Sequence, residues 1–227
     1  MIREIDPSIK AAVDANGGYC PCLVEKNADT KCMCKDFREM EFGVCHCGRY
    51  EKVRMNVTIT EWPNDNDWLE VKKRALVTVG LKAKNAPDME WKREILEARH
   101  SPIRRLRFSF FIEDLPSWVS VHLCRHIHAQ PFVRSQRNDR QDDYDRNKAP
   151  QDAPVSMIWD MNAEELMTIA NKRLCSMASA ETQAVVFQMC QQVLAACPEF
   201  EGFLVPMCEY HGGVCHEMKG GCGRCPK

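Results

Sequence analysis

Alternation of apolar and polar residues predicts two β-strands. Residues 55–60 (MNVTIT) alternate with period two, and so do residues 106–112 (LRFSFFI). This pattern is typical of strands that bury one face. The positions expected to point inward in the second strand are Leu106, Phe108, Phe110 and Ile112.

Apolar residues at helical spacing predict helices at 67–80, 87–99, 116–126, 162–178 and 180–197. The first would bury Trp68, Val71, Ala75, Leu76 and Val79, and the last Val185, Val186, Met189, Val193 and Leu194. Residues 134–153 are almost wholly polar and predict a loop or an extended substrate-binding segment. Strands and helices in this order predict an α+β fold.

Composition narrows the classes of function. The 227 residues are 44% hydrophobic and 28% charged, as in soluble globular proteins. The net charge of -1 gives no general electrostatic attraction to nucleic acid or to an anionic membrane. The first residues carry no apolar signal region, and no segment approaches the roughly 20 apolar residues of a membrane span. We therefore expect a cytoplasmic protein with neither membrane nor nucleic acid as its partner.

Fourteen cysteines point to metal or redox chemistry, since no secretion signal favours structural disulfides. Six lie between residues 20 and 47 and four between 208 and 225, whereas Cys124, Cys175, Cys190 and Cys197 occur in apolar periodic stretches, where buried inert thiols are expected. These clusters divide the chain into a domain at 1–52, a main domain at 53–205 and a cysteine-rich tail at 206–227.

The first cluster consists of three C-x-C pairs, namely Cys20/Cys22, Cys32/Cys34 and Cys45/Cys47. Zinc takes four ligands and would leave two thiols unused, whereas six cysteines divide into four for a 4Fe–4S cluster and two for a disulfide. The iron–sulfur interpretation is favoured, and zinc stays open.

The pattern CPC…CxC…CHC followed by glycine, over residues 17–50, resembles the catalytic subunit of ferredoxin:thioredoxin reductase. The resemblance implies a small helical iron–sulfur domain with ferredoxin or thioredoxin as redox partner. The implied cluster ligands are Cys20, Cys32, Cys34 and Cys45. Cys22 and Cys47 would form the catalytic disulfide, and His46 would transfer protons.

A second motif, RHIHAQPFVRSQR at 125–137, resembles the R-H-R-x₇-S-x-R pattern of the flavin-dependent thymidylate synthases. Ile127 replaces the third arginine, and Arg105 and Met177 stand where that family has histidines near the flavin. Further matches are Arg146 with Pro150, and Asn162 with Arg173 eleven residues later.

This resemblance implies the fold of that family, FAD and methylenetetrahydrofolate as cofactor and co-substrate, and a homotetramer. The implied substrate-binding residues are Arg125, Ser135, Gln136, Arg137, Arg146 and Arg173. Arg173 would also assist catalysis, and Arg125, His126 and Asn162 would bind the flavin. A hydroxyl and a guanidinium, as at Ser135 and Arg137, suit a phosphate. The alternative without a ligand site is a solvated surface on which these arginines form salt bridges with Glu113, Asp114, Asp142 and Asp143.

In the tail, Cys208, Cys215, Cys222 and Cys225 could bind zinc, relay electrons between thiols or be incidental. The leading functional hypothesis is reductive methylation of deoxyuridylate to thymidylate, with electrons supplied through the N-terminal 4Fe–4S cluster and dithiol. The alternative is a ferredoxin-dependent disulfide (thioredoxin) reductase whose larger domain is a nucleotide-binding or docking scaffold. A third hypothesis, a nucleic-acid-binding protein that uses the arginines of 99–107 and 134–140, is opposed by the near-neutral charge and the aspartates nearby.

Overall fold

The computed structural model describes residues 2–4, 6–40, 43–52, 55–140, 145–217, 221 and 225–226. The chain divides into a first unit, Met1–Met55, and a second unit, Asn56–Lys227. The division falls three residues after the boundary expected at residue 52, and the second unit includes the cysteine-rich tail.

The first unit is mixed rather than helical. Strands β1 (Ile2–Glu4) and β2 (Gly43–Val44) pair antiparallel with β3 (Tyr50–Lys52), and the helices α1 (Ile9–Ala15) and α2 (Lys35–Glu39) have seven and five residues. The expectation of a helical domain is corrected here because residues on both sides of the Cys45–Gly48 turn pair as strands. Gly48 has φ +78 in that turn, a conformation that glycine adopts without a steric penalty.

A four-stranded antiparallel sheet forms the centre of the second unit, in the order β4-β5-β7-β6. Its strands are β4 (Asn56–Glu61), β5 (Arg107–Pro116), β6 (Gln130–Val133) and β7 (Pro154–Asn162). β4 and β5 confirm the two predicted strands, and Phe108, Phe110 and Ile112 are at most 1% exposed. The α+β prediction is confirmed for this unit.

Strand β7 is absent from the sequence predictions, although it pairs with both β5 and β6. Val155, Met157, Trp159 and Met161 alternate along it and are at most 3% exposed. The intervening residues are half-buried or exposed. The alternation is therefore as regular as that of residues 106–112, and it was the signal that could have identified this strand.

The helices of the second unit are α3 (Asp65–Val77), α4 (Met89–Glu97), α5 (Ser117–Leu123), α6 (Ala163–Arg173), α7 (Ala180–Ala196) and α8 (Met207–Tyr210). α3 begins earlier than predicted because Asn64 caps it, accepting hydrogen bonds from two backbone amides of the first turn. It also ends earlier, so Val79 lies beyond it and is 67% exposed rather than buried. α6 ends at Arg173, five residues before the predicted end.

Helix α6 packs on β5 and β7, and α7 packs on α6 and on the edge strand β4. Gln192 of α7 accepts a hydrogen bond from the Ile59 amide (2.7 Å) and donates one to the Val57 carbonyl (2.6 Å). These bonds occupy backbone groups at the outer edge of β4 that would otherwise lack a strand partner. Within the described part of the chain, none of the helices has both the length and the apolar character needed to cross a bilayer.

Asn171 joins α6 to two other segments from a fully buried position. Its Oδ1 accepts a hydrogen bond from Arg99 Nη2 (2.5 Å), and its Nδ2 donates to the carbonyls of Phe203 (3.2 Å) and Val205 (2.7 Å). One side chain therefore fixes α6 against the end of α4 and against the segment that leads into α8.

We expect Asn171→Ala to lower the free energy of unfolding of the second unit by about 2 to 3 kcal/mol, because it leaves buried groups without partners. All five tryptophans lie between residues 62 and 159, so tryptophan fluorescence during urea denaturation reports on this unit. Gln191→Ala, on the exposed side of α7, is the matched control. Equal midpoints for the two variants would contradict the prediction.

Candidate functional site

Helix α6 positions the first group of candidate residues. Asn162, the last residue of β7, accepts a hydrogen bond from the Glu165 amide (2.9 Å) and so caps the helix. Arg173 is the last helical residue, about three turns later. The predicted pair of Asn162 and Arg173 thus lies at the two ends of one helix, with Asn162 engaged as the cap.

Arg173 contacts His126 from the turn that follows α5. Its Nε donates to His126 Nε2 (2.9 Å), and its Nη2 donates to the His122 carbonyl (3.3 Å). On the other side of the imidazole, His126 Nδ1 lies 3.4 Å from Glu165 Oε1. His126 and Glu165 are both buried, so the interaction is shielded from solvent.

The charge of Arg173 is in an unfavourable environment. Burial lowers the pKa of its guanidinium, and the positive charge of Arg125 lowers it further. Among the ion pairs of the described residues, none includes Arg173. Two neighbouring guanidinium groups of this kind favour the binding of an anion or of an electron-rich carbonyl group.

A cavity of about 630 Å³ opens beside Arg173, a volume in the range of small-molecule sites. The turn after α6 and the C-terminal segment line it together. Its basic residues are Lys172, Arg173, His211 and His216, and its thiols are Cys175, Cys208, Cys215 and Cys225. Cys175 is half-buried here, which corrects the expectation of an inert buried thiol, as does the exposure of Cys124.

The loop after β6 forms a second cavity of about 360 Å³, lined by Arg134, Ser135, Arg137 and Arg140. Arg137 forms a salt bridge with Asp139 (2.6 Å). The alternative of a salt-bridged arginine surface therefore holds for this residue, although its partner is not one of the four predicted carboxylates. The Arg146 amide donates to Asn138 Oδ1 (2.9 Å), which places Arg146 beside the same loop. Gln136 Oε1 accepts a hydrogen bond from the Ser117 hydroxyl of α5 (3.3 Å). Asp142 and Asp143 lie outside the described residues.

The structure thus brings the predicted substrate residues into two groups. Ser135, Gln136, Arg137 and Arg146 belong to the loop. Arg125, in the turn after α5, lies near Arg173 at the end of α6. Sequence reasoning did not assign Arg134, Arg140 or Glu165 to the nucleotide site, because their role depends on loop geometry and on a tertiary contact. The basic composition of residues 134–140 was the available signal for the first two.

Two of the three residues predicted to bind FAD have other partners, since His126 contacts Arg173 and Glu165, and Asn162 caps α6. Arg125 is exposed. Ile127, at the position of the family's third arginine, is 84% exposed. These side chains do not by themselves form a flavin site.

In the first unit, Cys20, Cys34 and Cys45 are buried around Phe37, and Cys47 packs against them. The Cys45 and Cys47 sulfurs are 3.4 Å apart, and the Tyr50 amide donates to Cys45 Sγ (3.0 Å). Three of the four predicted cluster ligands thus form one core.

The other predicted residues of this unit lie nearer the surface. Cys32 is half-buried and receives a hydrogen bond from Arg49 Nη1 (3.8 Å), and Cys22 and His46 are exposed. Burial raises the pKa of Cys20 and of Cys32, and burial together with Cys45 raises that of Cys47 to about 12. Burial therefore favours the uncharged thiol form of these three groups.

The described side chains include no group of three or more His, Cys, Asp or Glu residues arranged to hold a metal ion. This applies to the six N-terminal cysteines and to Cys208, Cys215 and Cys225, whereas Cys222 lies outside the described residues. Thiols are the residue type that binds an iron–sulfur cluster or zinc, and three of the four predicted N-terminal ligands share one core, although they are not arranged around a single point.

Comparisons with known proteins agree on the second unit. Residues 141–199 match the family model described as thymidylate synthase complementing protein. The structure resembles thymidylate synthase X from Helicobacter pylori, solved with FAD and dUMP, at 14% identity and a TM-score of 0.54, covering 66% of this chain and 99% of that one. It also resembles the UMP/dUMP methylase PolB from Streptomyces cacaoi, bound with 5-Br dUMP, at 16% identity and a TM-score of 0.51, covering 64% and 92%.

No curated protein matches the chain. At these identities the two solved structures show the fold alone, which is that of the flavin-dependent thymidylate synthases. The predicted fold of the larger domain is therefore confirmed.

Burial predicts which cysteines react. In reduced, metal-free protein at pH 8, we expect iodoacetamide to modify exposed Cys22 faster than Cys47, Cys190 and Cys197 by about tenfold or more, because the thiolate is the reactive form. Burial raises the pKa of Cys190 and of Cys197 to about 12, as for Cys47. Peptide mass spectrometry over time gives the rates, and urea-denatured protein is the control. Equal rates at Cys22 and Cys47 in the folded protein would contradict this.

Proposed function

We propose that the second unit binds deoxyuridylate and methylates it reductively to thymidylate. The observation that carries the proposal is the cavity of Arg134, Ser135, Arg137 and Arg140, because it joins two residues of the matched motif to two further arginines around a space suited to a phosphate. The fold shared with two nucleotide-bound proteins and the family match at 141–199 support it.

Under this proposal the two arginine groups have different roles. The loop cavity holds the phosphate, with hydrogen bonds from a hydroxyl and from guanidinium groups. Arg173, whose charge is opposed by burial and by Arg125, faces a carbonyl of the uracil ring. Negative charge that develops on that carbonyl during addition at the ring is stabilised by a guanidinium already in place.

The reaction also needs a one-carbon donor and two electrons as hydride. We propose that methylenetetrahydrofolate would supply the carbon and that reduced FAD, re-reduced with electrons from ferredoxin, would supply the hydride. Support for FAD is the shared fold with a protein solved with FAD. The described residues here supply binding and charge stabilisation. The homotetramer implied by the resemblance stays a prediction, which sedimentation analysis would test.

We expect dUMP to bind with micromolar to millimolar affinity, and Arg137→Ala to weaken it about 10- to 100-fold, the effect of one charge-assisted hydrogen bond. The variant should leave deoxyuridine binding unchanged, since the nucleoside lacks the phosphate. Isothermal titration calorimetry measures both ligands.

The matched control is Arg74→Ala, because Arg74 is also an exposed arginine paired with a carboxylate, that of Glu70. This variant should bind dUMP as the unaltered chain does. A lack of dUMP binding at millimolar concentration would refute the proposed function. An equal loss of affinity for dUMP and for deoxyuridine in Arg137→Ala would show that the loop does not bind the phosphate.

For the first unit we propose a redox module that carries a 4Fe–4S cluster and supplies electrons from ferredoxin. Its support is that Cys20, Cys34 and Cys45 are buried together, while Cys22 of the proposed dithiol is exposed. That exposure, with the exposed His46, equally favours the alternative of a disulfide reductase acting on thioredoxin.

Anaerobically purified protein should contain four iron and four sulfide per chain, and Cys34→Ser should lose them, whereas Cys22→Ser should keep them. Cys124→Ser, outside the unit, is the control. Zinc in place of iron would overturn the cluster proposal. The same metal analysis tests the tail. One zinc lost in Cys208→Ser would assign zinc there, whereas absence of zinc would leave a thiol relay and incidental cysteines as the alternatives.

A further inference from the structure

His126 has a chemical arrangement that the proposed function does not use. A guanidinium can only donate hydrogen bonds, so the contact from Arg173 Nε (2.9 Å) requires an unprotonated His126 Nε2. The ring proton then lies on Nδ1, which faces Glu165 Oε1 at 3.4 Å. His126 is therefore neutral, with its tautomer set by the two residues of α6 that contact it.

The position of this imidazole is fixed on other sides as well. The ring is buried and meets the ring of Trp159 of β7 edge-on, with centroids 6.1 Å apart. The carboxylate of Glu165 is buried against it and belongs to the first turn of α6, which the Asn162 cap holds. The acceptor offered to Arg173 thus has little freedom to move.

A neutral acceptor has a consequence that a carboxylate would not have. A carboxylate in contact with Arg173 would orient the guanidinium and also neutralise it. His126 and the His122 carbonyl orient it without neutralising it. The positive charge therefore stays available to a ligand in the 630 Å³ cavity.

We propose that His126 and Glu165 are positioning residues that hold Arg173 through a neutral acceptor and so keep its charge directed at the bound nucleotide. This inference rests on the proposed function, since the nucleotide is the ligand that Arg173 would meet. It assigns His126 a contact with Arg173 in place of a contact with flavin.

The test compares dUMP affinity by calorimetry in His126→Leu and His126→Gln. His126→Leu removes the acceptor, and we expect about a tenfold weaker affinity, as for one lost hydrogen bond. His126→Gln can offer a neutral amide oxygen near the position of Nε2 and should restore most of the affinity. His128→Leu, two residues further on and exposed, should bind as the unaltered chain does.

A double-mutant cycle separates positioning from a general structural effect. In the Arg173→Ala background, His126→Leu should cause no further loss, because its effect passes through Arg173. Nitrogen-15 spectra of the unaltered chain should show His126 protonated on Nδ1 and not on Nε2.

Additive losses, or an Nε2-protonated His126, would overturn the positioning role. So would normal binding by His126→Leu while the unaltered chain binds dUMP. Absence of binding by the unaltered chain would instead refute the proposed function itself.

Discussion

The direct connection from β7 into α6 is the constraint on which the candidate site depends. Asn162 pairs with Arg107 in the sheet and caps the helix through its own side chain. The start of α6 is therefore fixed relative to the central strands. Side chains of a helix tilt toward its N-terminus, so Arg173, at the far end, extends back toward His126 and Glu165. Loss of the cap would disturb the geometry of all three.

The two candidate arginine groups differ in how their charge is compensated. Arg137 is exposed and paired with Asp139, so an incoming phosphate must compete with a carboxylate that solvent already screens. Arg173 is held by neutral acceptors and is repelled by Arg125. Binding at the loop is therefore an exchange of partners, whereas binding at Arg173 relieves an unfavourable interaction. For a ligand that contacts both groups, the loop with Arg137 would fix the orientation, and Arg173 would contribute most of the favourable electrostatic energy.

Apolar periodicity was sufficient to predict a helix or strand where one face of the element is buried and turns flank it along the chain. β5 and α7 are of this kind. β7 was overlooked because its residues lie between a polar loop and a strong helix signal, and no turn residue separates the strand from the helix. The motif spacing identified Asn162 and Arg173 as a pair. The contact between Arg173 and His126 joins residues 47 positions apart in the sequence, and periodicity does not predict contacts of that kind. Cys175 was misjudged because α6 ends at Arg173, which leaves the thiol on a turn beside the cavity.

The first unit raises a problem of stability that its cysteines could solve. Among its described residues, the buried apolar side chains other than cysteine are Val13, Phe37 and Met55. A unit of about 55 residues with so small a core falls in the range where disulfides or metals usually supply the missing stability. All six cysteines are free thiols, and several have pKa values raised by burial. Deprotonation of buried thiols is unfavourable unless a cation compensates the charge. The proposed cluster would provide that compensation and the missing core together, so the proposed redox role and the stability of this unit would have one physical origin.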